Sequence, residues 1–177
     1  LTPREVVQLA EAVPALIEVN LFYRTREREE KIAEILRRHG AVKVLGVGED
    51  ASCTIPELFS ERRRVSCEGI YKADVVLVPL EDGDRTEALR KIGKTVIAID
   101  LNPLSRTAQA ASITIVDNVT RAMPKLVEAV KAMKALDRGQ LAQILERYDN
   151  KKTLADALRH ILKRLEQLAN SLDPRNA

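Results

Sequence analysis

The sequence contains few aromatic residues and few cysteines. Tryptophan is absent, phenylalanine and tyrosine together account for 3% of the 177 residues, and there are two cysteines. Two cysteines are too few for a disulfide-stabilised scaffold and have no metal-ligand spacing with the histidines, so we expect Cys53 and Cys67 to be incidental. Because rings are scarce, the hydrophobic core has to be built from valine, isoleucine, leucine and alanine.

Long hydrophobic runs and a marked charge excess are also missing. No apolar run approaches the roughly 18 residues of a membrane span, and the chain shows no secretory leader. The net charge is only +3; six Lys/Arg and three Asp/Glu follow position 150, and the rest of the chain has 23 of each. Such a balance is not typical of a nucleic-acid interface. We therefore expect a cytoplasmic protein with no membrane and no nucleic-acid partner.

What is present is an alternation of strand-length apolar runs with helical periodicities. The apolar runs are β-branched and nearly continuous, which is typical of strands covered on both faces. They span residues 16–22, 42–47, 75–80, 96–100 and 113–116. The alternation predicts an α/β fold, a Rossmann-like three-layer arrangement with a mostly parallel sheet. We assign residues 1–136 to this α/β domain and residues 137–177 to a C-terminal helical extension.

Helix boundaries are indicated by capping residues and glycines. The expected N-caps are Thr25, Asp84 (three residues before Glu87), Asn102 (followed by Pro103), Asn118 and Thr153. The helix after Thr25 is expected to end at His39, before Gly40. The segment 49–72 interrupts the alternation and predicts a long loop with some helix, a kind of segment that often carries function.

The predicted C-terminal extension contains an apolar seam. Its residues follow each other in alternating steps of four and three: Leu154, Leu158, Ile161, Leu165 and Leu168. The seam is too short to form a stable isolated coiled coil. It either packs on its own domain or contacts the same helix of a second copy, and we favour the subunit contact.

Polar residues follow the predicted strands, where an open parallel sheet binds its ligands. After strand 96–100, Asn102 and Pro103 leave the first amides of a helix free, and such an N-terminus favours anions. Arg106 adds a planar fork of donors suited to phosphate, and Asp100 can accept from ribose hydroxyls. Together they predict a nucleotide site. In the alternative, structural interpretation, Asn102 is only a cap, Asp100 binds backbone amides and Arg106 is a solvated surface residue.

No familiar phosphate loop accompanies this edge. Gly46 and Gly48 lie at the end of the second predicted strand, but the third glycine of a dinucleotide-binding motif is missing. This argues against a Rossmann-type dehydrogenase.

Four runs of the sequence resemble one protein family. The runs "EVNLFYRT", "EGIYKADVVLVPLEDGDRTEAL", "GKTVIAIDLNPLSRTA" and "ITIVDNVTRAMP" are similar to those of the archaeal phosphopantothenate synthetases. These enzymes are also called 4-phosphopantoate–β-alanine ligases. The resemblance extends from about residue 16 to residue 136, and the run from Thr95 to Thr107 is its most specific part.

The resemblance implies an ATP-dependent ligase of coenzyme A biosynthesis. Such a ligase joins 4-phosphopantoate to β-alanine and releases AMP and pyrophosphate, with an acyl adenylate as the intermediate. The implied ATP contacts are Asp100, Leu101, Asn102, Arg106, Thr107, Asn118 and Val119. Mg²⁺ is expected with ATP because charge builds up on phosphorus and pyrophosphate during adenylation. A cytoplasmic homodimer is expected. The alternative function is a non-catalytic nucleotide-binding or sensing module.

The residue chemistry also suggests candidates for the substrate contacts. Arg24 is a candidate for the pantoate phosphate, although it is equally a charged residue of a first helical turn. Asp82, in the acidic edge that it forms with Glu81 and Asp84, is a candidate for the metal or the ammonium of β-alanine; its alternative is a turn with Asp84 as cap. The arginines 62–64 form either a phosphate clamp or a solvated charge run, and the second interpretation is favoured.

No catalytic residue and no protein metal ligand are assigned. Members of the family begin well upstream of Leu1, and the resemblance places part of their nucleotide site in that segment. We therefore expect this chain by itself to bind ATP weakly and to turn over slowly.

Overall fold

In the computed structural model of the chain, residues 2–172 are described. The strands are β1 (Ile17–Glu18), β2 (Val44–Leu45), β3 (Cys53–Thr54), β4 (Arg64–Val65), β5 (Val75–Val78), β6 (Thr95–Asp100) and β7 (Ile113–Val116). The α-helices are α1 (Pro3–Ala12), α2 (Arg26–Arg38), α3 (Gly83–Lys91), α4 (Arg106–Ala110), α5 (Val119–Met133), α6 (Arg138–Arg147) and α7 (Asn150–Leu172). Gly48–Asp50 and Glu61–Arg63 form single 3-10 turns. The predicted α/β fold with parallel strands and C-terminal helices is confirmed.

A three-stranded parallel sheet in the order β5–β6–β7 forms the centre. Its strands are apolar on both sides because both faces are covered. On one face Val76, Val78 and Val96 pack with Leu89 of α3. On the other face Ile99 and its neighbours pack against α5 and α1. The strands 96–100 and 113–116 were predicted to within one residue, and the one at 75–80 ends two residues earlier than predicted.

The first two strands form a separate parallel pair that is much shorter than predicted. Ile17 pairs with Val44 and Glu18 with Leu45, so each strand is two residues long. Beyond β2 the chain turns at Gly46, whose φ is +75°. A Cβ there would lie 2.4 Å from the Val19 carbonyl oxygen, so only glycine allows this close approach. The apolar stretches 16–22 and 42–47 are therefore only partly strand.

Helix α1 was not predicted, although its sequence contains a recognisable signal. Pro3 stands at its first position, which suits proline. Val7 is buried against α2 and β1, and Leu9 is buried beside α5. Helix α1 thus connects the core region around α2 and the β1–β2 pair with the core region around α5.

The predicted loop 49–72 is ordered and covalently closed. Cys53 in β3 pairs with Val65 in β4, and a disulfide joins Cys53 to Cys67. The expectation that the cysteines are incidental is therefore wrong. Ile55 and Leu58, inside the closed segment, are buried in the core beneath α3, which brings the sulfur atoms together although the sequence shows no motif for a disulfide.

Two helix starts agree with the prediction, and three differ. Thr25 caps α2, whose C-cap is His39, and Asn118 caps α5. Asp82, not Asp84, caps α3 through the amide of Arg85, because the Asp84 carboxylate pairs with Arg106 instead.

Helix α4 is capped by Ser105 and not by Asn102, whose side chain accepts from the Leu104 amide and forms a turn before the helix. Helix α7 already begins at Asn150 and not after Thr153.

The apolar seam of α7 is divided between two environments. At its start Leu154 is buried, and α7 packs on β7 and α4. The Tyr148 hydroxyl accepts a hydrogen bond from the Thr114 backbone amide, and the Asn150 side chain donates through Nδ2 to the carbonyls of Ala108 and Ala111. Farther along, Ile161, Leu165 and Leu168 are exposed. Positions 173–177 of the predicted extension lie outside the described residues. Between residues 2 and 172, no helix has the length and apolarity needed to cross a membrane.

Candidate functional site

A cavity of about 570 Å³ opens at the carboxyl ends of β5 and β6. It lies between the starts of α3 and α4 and the loop that carries Arg62. Its lining residues are Phe22, Arg62, Glu81, Asp82, Gly83, Asp84, Asn102, Ser105 and Arg106. Three of the predicted ATP-binding and substrate-binding residues, Asp82, Asn102 and Arg106, therefore border one space.

Asp100 organises the turn that leads from β6 to α4. Its side chain is buried and accepts from the Asn102 amide at 2.9 Å and from the Ser105 hydroxyl. The Ser105 oxygen in turn accepts from the Ala108 amide at 3.0 Å and caps α4. Leu101 and Asn102 remain exposed at the tip of the turn. Both oxygens of Asp100 thus have partners within the protein, which supports the structural interpretation of its carboxylate.

Thr107 joins the two polar strand ends. It is fully buried, its hydroxyl accepts from the Asp82 amide at 2.8 Å, and it donates to Glu81 at 3.1 Å. The start of α4 is therefore fastened to the start of α3. Gly83 permits this contact, because a Cβ at that position would lie 2.9 Å from the Cβ of Arg106.

Arg106 stands at the mouth of the cavity with acidic partners. Its side chain is 62% exposed, it donates two hydrogen bonds to Glu87 at 2.8 and 2.9 Å, and it lies 2.9 Å from Asp84. Hydrogen bonds to Glu87 and then Asp84 raise the pKa of Arg106, and the same bond to Arg106 lowers the pKa of Glu87. The Arg106 guanidinium is exposed to solvent at the cavity, but its donors are already paired with the carboxylates of Glu87 and Asp84.

Asn118 and Val119 lie at the neighbouring strand end. Asp100 pairs with Val116 in the β6–β7 register, which brings the start of α5 to the same edge of the sheet. The Asn118 oxygen accepts from the amide and the hydroxyl of Thr120. Val119, the first residue of α5, packs against the core around Ile99 and Met123. Neither of them borders the cavity.

Arg24 lies elsewhere and is held by the protein itself. Its side chain is 5% exposed, forms an ion pair with Glu29, and donates to the carbonyls of Gly46 and Arg64. These contacts support the structural interpretation of Arg24 over a phosphate contact.

Two arginines near the cavity were missed or misjudged from the sequence. Arg62, interpreted as part of a solvated charge run, borders the cavity and pairs with Asp82. Arg85, in the first turn of α3, is buried and donates to the Asn20 side chain at 3.0 Å. No local pattern distinguishes Arg62 from exposed Arg63, so only the long-range contact with Asp82 identifies it.

A resident metal site is not evident in the part of the chain that the structure describes. Between residues 2 and 172 no three His, Cys, Asp or Glu side chains are grouped so that they could hold a metal ion. The acids of the cavity are instead engaged by arginines or by the Thr107 hydroxyl.

Comparison with known proteins gives a consistent set of relatives. A family model described as phosphopantothenate/pantothenate synthetase matches residues 1–164. Proteins named 4-phosphopantoate–β-alanine ligase from Thermococcus onnurineus and Thermococcus kodakarensis are each 54% identical over 170 residues. A protein of the same name from Methanosarcina mazei is 52% identical over 169 residues. The matches cover 96% of this chain but 64%, 64% and 66% of those relatives.

Proposed function

Because the chain belongs to the phosphopantothenate/pantothenate synthetase family, we propose that it binds ATP and 4-phosphopantoate as part of a 4-phosphopantoate–β-alanine ligase. The observation that carries the proposal is the cavity of about 570 Å³, which Asn102 and Arg106 border together with Arg62 and Asp82. The relatives carry the ligase name, and the chain spans 64% of the length of the first two.

ATP is proposed to bind along the carboxyl ends of β6 and β7. Arg106 is suited to the phosphates once it leaves Glu87 and Asp84, since a guanidinium binds phosphate through two parallel hydrogen bonds. The Thr107 hydroxyl is already used on both sides, so Thr107 would contribute its backbone amide. Asn118 and Val119 would contact the nucleoside. Mg²⁺ enters with ATP as part of the substrate.

The reaction that fits these substrates proceeds in two steps. A carboxylate oxygen of 4-phosphopantoate attacks the α-phosphorus of ATP, pyrophosphate leaves, and an acyl adenylate forms. The amine of β-alanine then attacks the acyl carbon, loses a proton, and AMP leaves as the amide bond forms. Positive charge beside the phosphates stabilises the first step, because negative charge accumulates on phosphorus and on pyrophosphate. Arg106 is the residue proposed for that role.

The β-alanine ammonium is proposed to meet the acidic edge of the cavity. Asp82 pairs with Arg62 and Asp84 with Arg106. Glu81 accepts a hydrogen bond from the Thr107 hydroxyl but pairs with no cation among residues 2–172. Glu81 is therefore the carboxylate of this edge that is best placed to accept an ammonium group.

Isotope exchange tests the adenylation step directly. We expect labelled pyrophosphate to enter ATP only when 4-phosphopantoate is present, and AMP to accumulate only when β-alanine is added as well. ATP binding without exchange would instead favour the nucleotide-sensing alternative. Arg106→Ala should weaken ATP binding about tenfold or more, whereas Arg38→Ala, which removes another exposed and ion-paired arginine, should leave it unchanged.

We also propose that the enzyme is a cytoplasmic homodimer that uses the exposed part of α7. Ile161, Leu165 and Leu168 lie on one side of this helix and are exposed in the single chain. A second copy of the same helix can cover them. Sedimentation should show a dimer that Leu165→Glu dissociates and that Lys163→Glu does not; a monomeric parent chain would contradict this part of the proposal.

A further inference from the structure

Two arginines and one carboxylate form a cluster at the cavity: Arg62 and Asp82 border the cavity, and Arg85 contacts Asp82 without bordering it. Arg62 forms an ion pair with Asp82, and the Nε of Arg85 lies 3.3 Å from the same carboxylate oxygen. The side chains of Arg62, Arg85 and Asp82 are 20%, 11% and 9% exposed. Two guanidinium groups share one direct acidic partner, so this cluster carries an excess positive charge in a poorly solvated place.

Both arginines keep unused hydrogen-bond donors. The Nε atoms of Arg62 and Arg85 are buried and have no hydrogen-bond partner between residues 2 and 172. The remaining contact of Arg85 is with the neutral Asn20 side chain, which itself donates to the carbonyls of Arg62 and Arg64. Burial, reinforced by the charge of Arg62, lowers the pKa of Arg85 to about 10. Incompletely paired buried charge is costly and marks candidate functional sites.

The other groups around this cluster also suit an anion. The first turn of α3 begins at Gly83 on the cavity wall, and free amides at a helix start favour negative charge. The Phe22 ring lies 5.7 Å from the Arg62 guanidinium carbon and covers it on one side. The acids Glu81 and Asp84 also border the cavity, but both are exposed, and solvent screens exposed charges. The part of the cavity beside Arg62 is thus cationic, whereas its opening carries both acidic and basic side chains.

We propose that Arg62, supported by Arg85 and the start of α3, binds a phosphate monoester. In the absence of that ligand, Asp82 neutralises part of the charge, and the incoming phosphate competes with it for Arg62. The identity of the ligand rests on the proposed function. The predicted ATP contacts follow the ends of β6 and β7, whereas Arg62 and Arg85 lie on the β5 side, which leaves this place for the phosphate of 4-phosphopantoate.

Calorimetric titration of this chain with four probes tests the site. The probes are inorganic phosphate, 4-phosphopantoate, pantoate without the phosphate, and ATP. Arg62→Gln should weaken the binding of inorganic phosphate and of 4-phosphopantoate at least tenfold. The affinities for pantoate and ATP should not change. Arg63→Gln removes the same charge from the exposed neighbouring arginine and should change none of the four. Arg62→Lys, which keeps the charge, should recover part of the affinity and guards against a folding defect.

A second variant gives a result that a merely structural role would not produce. Asp82→Asn removes the competing charge while asparagine can still cap α3. Inorganic phosphate should therefore bind several-fold more tightly to Asp82→Asn than to the parent chain. A purely structural Arg62–Asp82 pair predicts unchanged or weaker binding in this variant.

The outcomes separate this site from the ligase proposal. Equal phosphate and 4-phosphopantoate affinities in Arg62→Gln and Arg63→Gln would overturn the site while leaving the ligase proposal intact. If Arg62→Gln lost as much affinity for ATP as for 4-phosphopantoate, the assignment of this site to 4-phosphopantoate would be overturned. Arg62-dependent binding of inorganic phosphate, with no preference for 4-phosphopantoate over pantoate, would support the anion site and contradict the proposed substrate.

Discussion

The three-stranded sheet β5–β6–β7 and the two-stranded pair β1–β2 are both parallel, but different forces hold them. In the sheet, β5 pairs with β6 and β6 with β7 over four residues each. In the β1–β2 pair the register covers two residues. Around that pair, carboxylates accept hydrogen bonds from backbone amides: half-buried Glu18 from those of Ser66 and Ile70, buried Glu29 from that of Gly48, and exposed Asp50 from that of Gly46.

The difference shows how a short strand pair can be held in place. A ladder of backbone bonds between apolar strands has many similar contributions, so the loss of one side chain costs only its own packing. Around β1 and β2 a few charged side chains carry the contacts, and each removal leaves a buried partner unpaired. The first region arranges the proposed nucleotide edge, and the second holds the loop that carries Arg62.

The largest expected effect comes from breaking a buried ion pair in the β1–β2 region. Arg24 and Glu29 are 5% and 3% exposed and pair with each other. Glu29→Ala should lower the free energy of unfolding by about 3–5 kcal/mol, because it leaves a buried guanidinium uncompensated. Denaturant unfolding measures this change. Glu30→Ala, which removes the exposed partner of Arg26, should cost less than about 1 kcal/mol; similar losses in both variants would remove the distinction between the regions.

Opening the disulfide should have the next largest effect. Cys53 and Cys67 are 14 residues apart in the sequence, and closing a loop of that length stabilises a protein by about 3 kcal/mol. Reduction should therefore shift the unfolding midpoint of the parent chain. A variant with both Cys53→Ala and Cys67→Ala should not respond to the reductant. If reduction leaves the stability of the parent chain unchanged, the disulfide does not help to stabilise the β1–β2 region.

Removing a helix cap beside the three-stranded sheet should cost less. The Asn118 side chain accepts from the Thr120 amide at the start of α5. Asn118→Ala should lower the free energy of unfolding by about 1 kcal/mol, whereas Asn118→Asp should retain the cap. Chemical denaturation of the three proteins checks this order. A loss as large as that expected for Glu29→Ala would show that the sheet region is not the more tolerant one.

The smallest effect is a difference in titration between two carboxylates. Burial raises the pKa of Glu18 in the β1–β2 region, and the Arg106 hydrogen bond lowers the pKa of Glu87 on α3. Carbon-detected NMR titration should place their midpoints on opposite sides of the ordinary glutamate value. Protonated Glu18 favours the folded state, so its contribution is present below its unfolded pKa and is lost as the pH rises through its folded value.

The contribution of Glu87 to the stability of the fold has the opposite dependence on pH. Its contribution is present above its unfolded pKa and is lost as the pH falls through its lowered folded value. Arg106→Ala should return the Glu87 midpoint towards the ordinary value and leave Glu18 unchanged. Equal midpoints for the two carboxylates in the parent chain would contradict the contrast.

Family membership and the central sheet could be predicted from the sequence. The four runs that resemble the archaeal synthetases led to the family, which is confirmed. Strands β6 and β7 were predicted to within one residue because their apolar runs are short, continuous and covered on both faces. Similar apolar runs predicted β1 and β2, but these stretches also contain Glu18 and Gly46, and polar contacts and the turn at Gly46 end the strands early.

Helix starts were predicted less well where two capping residues stand close together. Asp82 and Asp84 are both good N-caps, and so are Asn102 and Ser105. The choice depends on contacts from elsewhere in the chain: Thr107 holds the Asp82 amide and Arg106 takes the Asp84 carboxylate. Local spacing does not contain this information.

The sequence by itself determined the alternation of strands and helices, the family, and the polar strand ends that include Asn102 and Arg106. The alternation and the strand ends depend on short-range periodicity, which residues close in the chain express directly, and the family follows from the resemblance of four runs of the sequence to the archaeal synthetases. Only the tertiary structure decided that Arg24 is buried, that Cys53 meets Cys67, and that Arg62 faces the cavity. Contacts between Arg62 and Asp82, 20 residues apart, or between Asn20 and Arg85, 65 residues apart, form because the packed core brings distant segments together.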